Sequence, residues 1–303
     1  MSSLRLALAT FDNVFDTTPN RRVVSLEQLL DGLSRFELRD DVAAKIARRE
    51  GHIRQAWTTL DGGGLPAGKE GSALIEARKQ AESEGRDGMT AAREARDKLM
   101  YEAHHDAKRL IALWSPACFV QGGRRTGDDV AHLSCLVFDY DAGIELDAVE
   151  THWAGHFAAI HTTWSHTPER PRLRAVLPLA RPVDARDWDA VWAWGSERAE
   201  HLVDPAPKGR ASTFALPAVG GADWPFGSWL RPGELLDPVA MGLAREASPA
   251  PAVAWHKPHH FDGGRPKKRQ LRADSASTDA IEVDALRSDP VDEGGDLDFD
   301  AFG

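Results

Sequence analysis

The spacing of apolar positions changes period near residue 115, from mainly helical before it to mainly strand-like after it. "LRLALATF" alternates and predicts a first strand. Ser25 followed by Gln28 has the spacing of a capping box and predicts a helix to about Phe36. Asp40 to Arg54 predicts another helix, and the glycines and proline of "LDGGGLPAGKEGS" predict a loop. From Thr90 to Trp114, Ala91, Ala95, Leu99, Ala103, Ala107 and Leu110 recur near one face, which predicts the strongest helix in the chain.

After that helix, "ACFVQGG", "HLSCLVFDYD", "FAAIHTTWS" and "RLRAVLPLA" are strand-like. "ARDWDAVWAWGSERAEHL" predicts a helix with Trp188, Val191, Trp192 and Ala199 inward, and "ASTFALPAV" one more strand. The expected class is α/β (α+β). Residues 1–112 form an N-terminal helical and αβ part and 113–240 the core. Residues 241–303 are aperiodic and predict a disordered linker and tail.

Composition narrows the function. An apolar content of 42% over 303 residues allows a real core. No apolar run is long enough for a membrane helix, and the N-terminus has no secretory pattern. Cys118 and Cys135 are the only cysteines, which excludes a Cys-rich zinc site, argues against a disulfide scaffold and predicts a cytoplasmic protein. The net charge of −10 argues against nucleic acid only until it is located. Ser275 to Gly303 holds nine acids against Arg287, so −8 lies in the tail and −2 elsewhere, and the body can carry a basic groove.

Two motifs have bland accounts. "GGLPAGKE" has Gly63, Gly68 and Lys69 at phosphate-loop spacing, but Glu70 replaces the metal-binding hydroxyl and no apolar strand leads in. A glycine-rich surface loop explains it better. His104, His105 and Asp106 lie within an amphipathic helix without further ligands in view, and read as solvated helix residues.

"SCLVFDYDAG" is more informative. Leu136, Val137 and Phe138 predict a buried strand, and alternation points Asp139 and Asp141 to one side. Adjacent carboxylates repel and are costly to desolvate, so a cation is expected between them. Downstream, Ser165 and His166 precede a Pro-rich turn. Arg172 and Arg174 then share one face of a strand, and Asp204, Lys208 and Arg210 precede another. Hard carboxylate oxygens suit Mg²⁺ or Mn²⁺, two of which can clamp the attacking and leaving oxygens of phosphoryl transfer. Arg and His supply donors to a triphosphate, which favours a nucleoside triphosphate substrate over a nuclease reaction.

"LVFDYD", "HTTWSHTPERPRLRAVLPL" and "HLVDPAPKGRASTFALP" resemble, in order and spacing, the three motifs of the archaeo-eukaryotic primase (primase-polymerase) superfamily, nearest its plasmid, phage and mobile-element branch. The resemblance covers about 113–217. It implies a core related to the RNA-recognition fold, extended by an N-terminal α/β unit. It implies a two-metal site at Asp139, Asp141 and Asp204, with Mg²⁺ or Mn²⁺ as cofactor. His166 corresponds to the nucleotide-contacting histidine, and Arg172 or Arg174, with Arg210, to phosphate-contacting positions. Ser165 and Lys208 complete the nucleotide-binding set. The family motif is often Ser-x-His; here Ser165 adjoins His166 and Trp164 stands at the serine position.

The resemblance implies a DNA-template-dependent primase or polymerase that makes or extends primers on single-stranded DNA. No helicase domain is visible in the sequence, so a separately encoded helicase or other replication protein is an expected partner. The acidic tail, ending "GGDLDFDAFG", is a candidate contact for it. The alternatives are a rolling-circle or relaxase-type nuclease and a catalytically silent DNA-binding subunit. The first needs a paired-histidine motif and a nucleophilic tyrosine, and only Tyr101 and Tyr140 exist.

Overall fold

The computed structural model describes residues 4–247 and 270–272. In chain order the elements are β1 (Arg5–Phe11), β2 (Asn20–Ser25), α1 (Leu26–Ser34), β3 (Arg35–Leu38), α2 (Asp40–Asp61), α3 (Gly68–Ser83) and α4 (Gly88–Lys108). Then come β4 (Leu113–Ser115), β5 (Ala117–Phe119), β6 (Val130–Tyr140), α5 (Leu146–His152), β7 (Ala158–Thr162), β8 (Leu173–Asp184) and α6 (Trp188–Arg198). The last are β9 (Phe214–Ala215), β10 (Ala218–Val219), β11 (Ser228–Arg231) and β12 (Gln270–Arg272). The mixed α/β class read from the sequence is the one observed. The acidic tail lies outside the described residues. No helix among the described residues is long and apolar enough to cross a membrane.

The chain divides into two compact units, residues 39–111 and the remainder. The sequence groups 1–112 together, whereas the contacts place 1–38 with the residues after 111, because β1 pairs with β4. The smaller unit is α2, α3 and α4, around Ala56, Leu60, Leu74 and Ala92. Here the expected loop is shortened: α3 already begins at Gly68. Gly71 is required in it because a Cβ there would lie 2.7 Å from the Pro66 carbonyl oxygen. Lys69 is exposed and a helix, not a strand, leads into the loop, so no phosphate loop forms. His104 Nε2 lies 2.7 Å from Glu50 Oε1 and Asp106 pairs with Arg49 at 2.8 Å, so both are taken up by surface contacts between the helices.

Among the described residues the larger unit holds three sheets, ordered β11-β7-β8-β6-β5, β2-β1-β4-β9 and β10-β3-β12. The Ser25–Gln28 capping box is formed in both directions and starts α1 as expected. That helix stops at Ser34, because Phe36 is taken into β3, where it is buried. The helix expected to reach Trp114 ends at Lys108. Its last apolar residues, Leu113 and Trp114, pair with β1 in a sheet instead. "ASTFALPAV" is two short strands rather than one: β9 joins β4 and β10 joins β3, with Pro217 between them. Proline has no N–H to continue a ladder, and its carbonyl accepts from Glu37 N at 2.9 Å.

The five-stranded sheet is buried on both faces. Leu136, Phe138 and Tyr140 of β6 face one apolar cluster, and Cys135 and Val137 face the other. Each fully buried Leu or Phe contributes about 1.5–3 kcal/mol. Helix α6 covers the first face with Trp188, Val191 and Trp192, as its pattern predicts. It approaches so closely at Gly195 that a Cβ there would lie 2.6 Å from the Phe138 ring. The second face is covered by Leu6, Leu8, Trp114 and Phe214. On that face Val137, Val176 and Ala159 form one row across β6, β8 and β7. The next row in register is Asp139, Arg174 and His161.

Candidate functional site

Tyr140 separates the two acids and fixes their direction. It is fully buried on the opposite face, where its hydroxyl accepts from Trp153 Nε1 at 3.1 Å and meets His152 Nδ1 at 3.3 Å. Burial pushes its pKa well above the usual phenol range. With Tyr140 anchored there, alternation sends Asp139 and Asp141 to the other side.

The cation expected between the carboxylates is, in this structure, an arginine for each. Arg174 donates Nε to Asp139 Oδ1 at 2.6 Å and Nη2 to Oδ2 at 3.0 Å, a bidentate pair. Its Nη1 donates to the Ala215 carbonyl at 2.7 Å, and its guanidinium lies 4.8 Å from the Phe214 ring centroid. Arg174 is only 6% exposed. Arg172, one strand pitch further out, makes a single 3.1 Å contact from Nη1 to Asp141 Oδ2 and stays half-buried.

His161 flanks Arg174 in the row, 1% exposed. Its Nδ1 lies 2.8 Å from the Thr162 carbonyl, which can only accept, so the proton sits on Nδ1 and Nε2 is a buried lone pair without a partner among the described residues. Burial, then the Arg174 charge, lower its pKa to about 4, so the ring is neutral near pH 7. The Phe36 ring packs edge-on against it at 6.2 Å.

His166 sits in the turn between β7 and β8. Its Nδ1 accepts the Arg172 backbone N–H at 3.1 Å, which leaves Nε2 as the protonated nitrogen of the neutral ring. Its pKa is lowered by burial, opposed by the nearby Glu145 carboxylate. The residue therefore offers a neutral N–H donor.

Asp204 reaches the same place from the loop after α6. Glu200 and His201 turn that loop with φ of 52° and 59°, a left-handed conformation unusual for residues other than glycine. The turn is held by His201 N donating to the Ser196 carbonyl at 2.8 Å. Asp204 N then donates to the Asp139 carbonyl at 2.8 Å, and Asp204 Oδ1 accepts from Ala206 N at 2.9 Å.

The structure thus gathers Asp139, Asp141, Asp204, His166, Arg172 and Arg174. It does not gather every expected residue. Lys208 is drawn to α6: Trp188 Nε1 donates to its carbonyl at 3.1 Å, and its Nζ lies 5.6 Å from the Trp192 ring centroid. Arg210 is half-buried and makes no ion pair among the described residues. Ser165 is half-buried beside His166, while Trp164, at the family's serine position, is buried against Trp224 with ring centroids 5.0 Å apart. Sequence reasoning missed His161, Phe214 and Ala215. The alternation in "AAIHTT" could have placed His161 on the Asp139 face; nothing local marks the other two.

Three carboxylates at a strand end fit Mg²⁺ or Mn²⁺ in kind. In this arrangement Asp139 and Asp141 are taken up by arginines, and no three His, Cys, Asp or Glu side chains form a metal-binding group among the described residues.

Residues 117–197 match the family model of the VapE N-terminal domain. Among solved structures, the chain is similar to the AEP domain of the cyanophage S-2L primase-polymerase (PrimPol). The identity is 16% and the TM-score 0.35, over 46% of this chain and 74% of that one. No curated protein matches the chain. The VapE match covers the expected site residues except Asp204, Lys208 and Arg210.

Proposed function

We propose that this chain is a nucleotidyltransferase of the primase-polymerase type, making or extending primers on a single-stranded DNA template. The observation that carries this reading is the main-chain bond that ties Asp204 to Asp139, with Arg172 on Asp141 and His166 on Arg172. An acidic pair and a third acid 63 residues further on are joined through main chain, and two donors suited to a triphosphate lie at the pair. Arg172 presents a guanidinium with most of its donors free among the described residues, and His166 a neutral Nε2–H. Both suit the dense charge and many oxygens of a triphosphate better than the single charge of a phosphodiester. The buried hydroxyl of Tyr140 also disfavours the nuclease reading.

Asp139, Asp141 and Asp204 would hold the Mg²⁺ or Mn²⁺ ions, which when bound neutralise triphosphate charge. The chain's own residues bind and orient: Arg172 and His166 the phosphates, the β6 strand end the acids. A helicase or other replication protein supplied by a second chain remains the proposed partner, with the acidic tail as its contact.

The test is incorporation of labelled nucleotides on single-stranded DNA, run with each nucleotide set and with Mg²⁺ or Mn²⁺. Products longer than the input support the reading, and their absence under all conditions overturns it. The Asp139–Arg174 pair favours one second reading, a silent subunit whose acids are neutralised permanently. That reading predicts template binding without incorporation.

A further inference from the structure

Arg172 and Arg174 lie two residues apart, Arg172 just before β8 and Arg174 within it, and both fall where a phosphate-contacting arginine is expected. Their surroundings differ in kind. Every nitrogen of the Arg174 guanidinium donates to the protein: two to Asp139 and one to the Ala215 carbonyl. Its face is covered by Phe214 and its flank by His161, and little of it reaches solvent. Arg172 makes one bond, to the outer acid.

We infer that Arg174 is a positioning residue for Asp139 and takes no part in holding the triphosphate, which falls to Arg172. This rests on the proposed nucleotidyl-transfer reading and divides the work within that site. The geometry gives the reason. A bidentate guanidinium–carboxylate pair fixes the plane of the carboxylate as well as its position. The third bond, to Ala215, fixes the guanidinium to β9, a strand of a different sheet. Asp139 is therefore set by two sheets at once, while Asp141, just past the end of β6, is met by the half-buried Arg172.

His161 belongs to the same device. A charged imidazole in that row would repel Arg174. The neutral ring, held by Thr162, fills the space without competing for the Asp139 carboxylate.

The experiment compares Arg172→Lys with Arg174→Lys in the full chain, measuring nucleotide affinity directly with a non-incorporable triphosphate and kcat separately by incorporation. Lysine keeps the charge and loses the fork, so it tests geometry. For Arg174→Lys the expected result is nucleotide affinity within about two-fold of native and kcat reduced about ten-fold or more. For Arg172→Lys the order is reversed, with affinity weakened about five-fold or more. Phe214→Leu, which removes only the ring over Arg174, supplies a variant without change of charge; it too is expected to lower kcat and spare affinity. Weakened nucleotide binding with native kcat in the Arg174 or Phe214 variant overturns the assignment. Affinity is read without turnover, so a native chain that incorporates nothing would sink the proposed function while the contrast between the two arginines stayed measurable.

Discussion

Asp204 donates its backbone N–H to the carbonyl of Asp139 at 2.8 Å, so the loop after α6 is closed onto the end of the strand carrying the acidic pair. The third acid is thereby placed by main chain rather than by side-chain chance. Its location depends on how α6 sits on the sheet, which leads to the first prediction.

Gly195→Ala is expected to lower stability by about 1–3 kcal/mol, because the added methyl meets the Phe138 ring and Leu136 in a filled core. Thermal melting checks this. Incorporation should fall further than the stability loss explains, since a displaced α6 carries the Asp204 loop with it.

Asp139→Ala and Asp141→Ala are each expected to abolish incorporation, but their effects on folding should differ. Removal of a repelling carboxylate would raise stability if the two acids faced each other alone. Here Asp139 faces a buried Arg174, and deleting it strands that charge, a loss of about 3–5 kcal/mol when a buried pair is broken. Asp141 pairs with the more exposed Arg172 and should cost about 1 kcal/mol or less. Denaturant melts of the two variants distinguish them.

Arg172→Ala and His166→Ala are expected to weaken nucleotide binding about ten-fold each, from loss of a charge-assisted or neutral donor, with template affinity less affected. A template defect with native nucleotide affinity would move both residues to the DNA path.

Burial holds the pKa of His161 at about 4, below its ordinary value. The unfolded chain therefore takes up the proton first as pH falls, and the native state loses stability between about 6.5 and 4. Above that window the residue contributes no pH dependence. His161→Gln keeps a polar side chain without a titrating ring and is expected to flatten the acid limb of a stability–pH curve in that window.

Periodicity made the site readable where the sheet obeys it. Asp139 with Asp141, and Arg172 with Arg174, were assigned to common faces by a spacing of two, and the Ser25–Gln28 cap by a spacing of three. What the alternation does not contain is the distance between strands far apart in sequence. Arg174 and Asp139 are 35 residues apart, and only their register makes them a pair. Phe214 and Ala215 come from a strand too short to show any period, and Pro217, which splits it, looks from the sequence like an ordinary member of an apolar run. Leu113 and Trp114 continue the helical pattern yet lie in β4, because apolar residues at the end of such a pattern look the same whether a helix or a sheet buries them.

The helical unit, 39–111, interrupts the sheet-bearing unit between β3 and β4, and the Arg39 guanidinium reaches the Leu110 carbonyl at 3.0 Å. Departure and return thus lie within the span of one side chain. A segment whose two ends meet can be lost, lengthened or exchanged without rethreading the rest of the molecule. In this architecture the helices are an insert that leaves the strand order around the acids to the residues on either side of it.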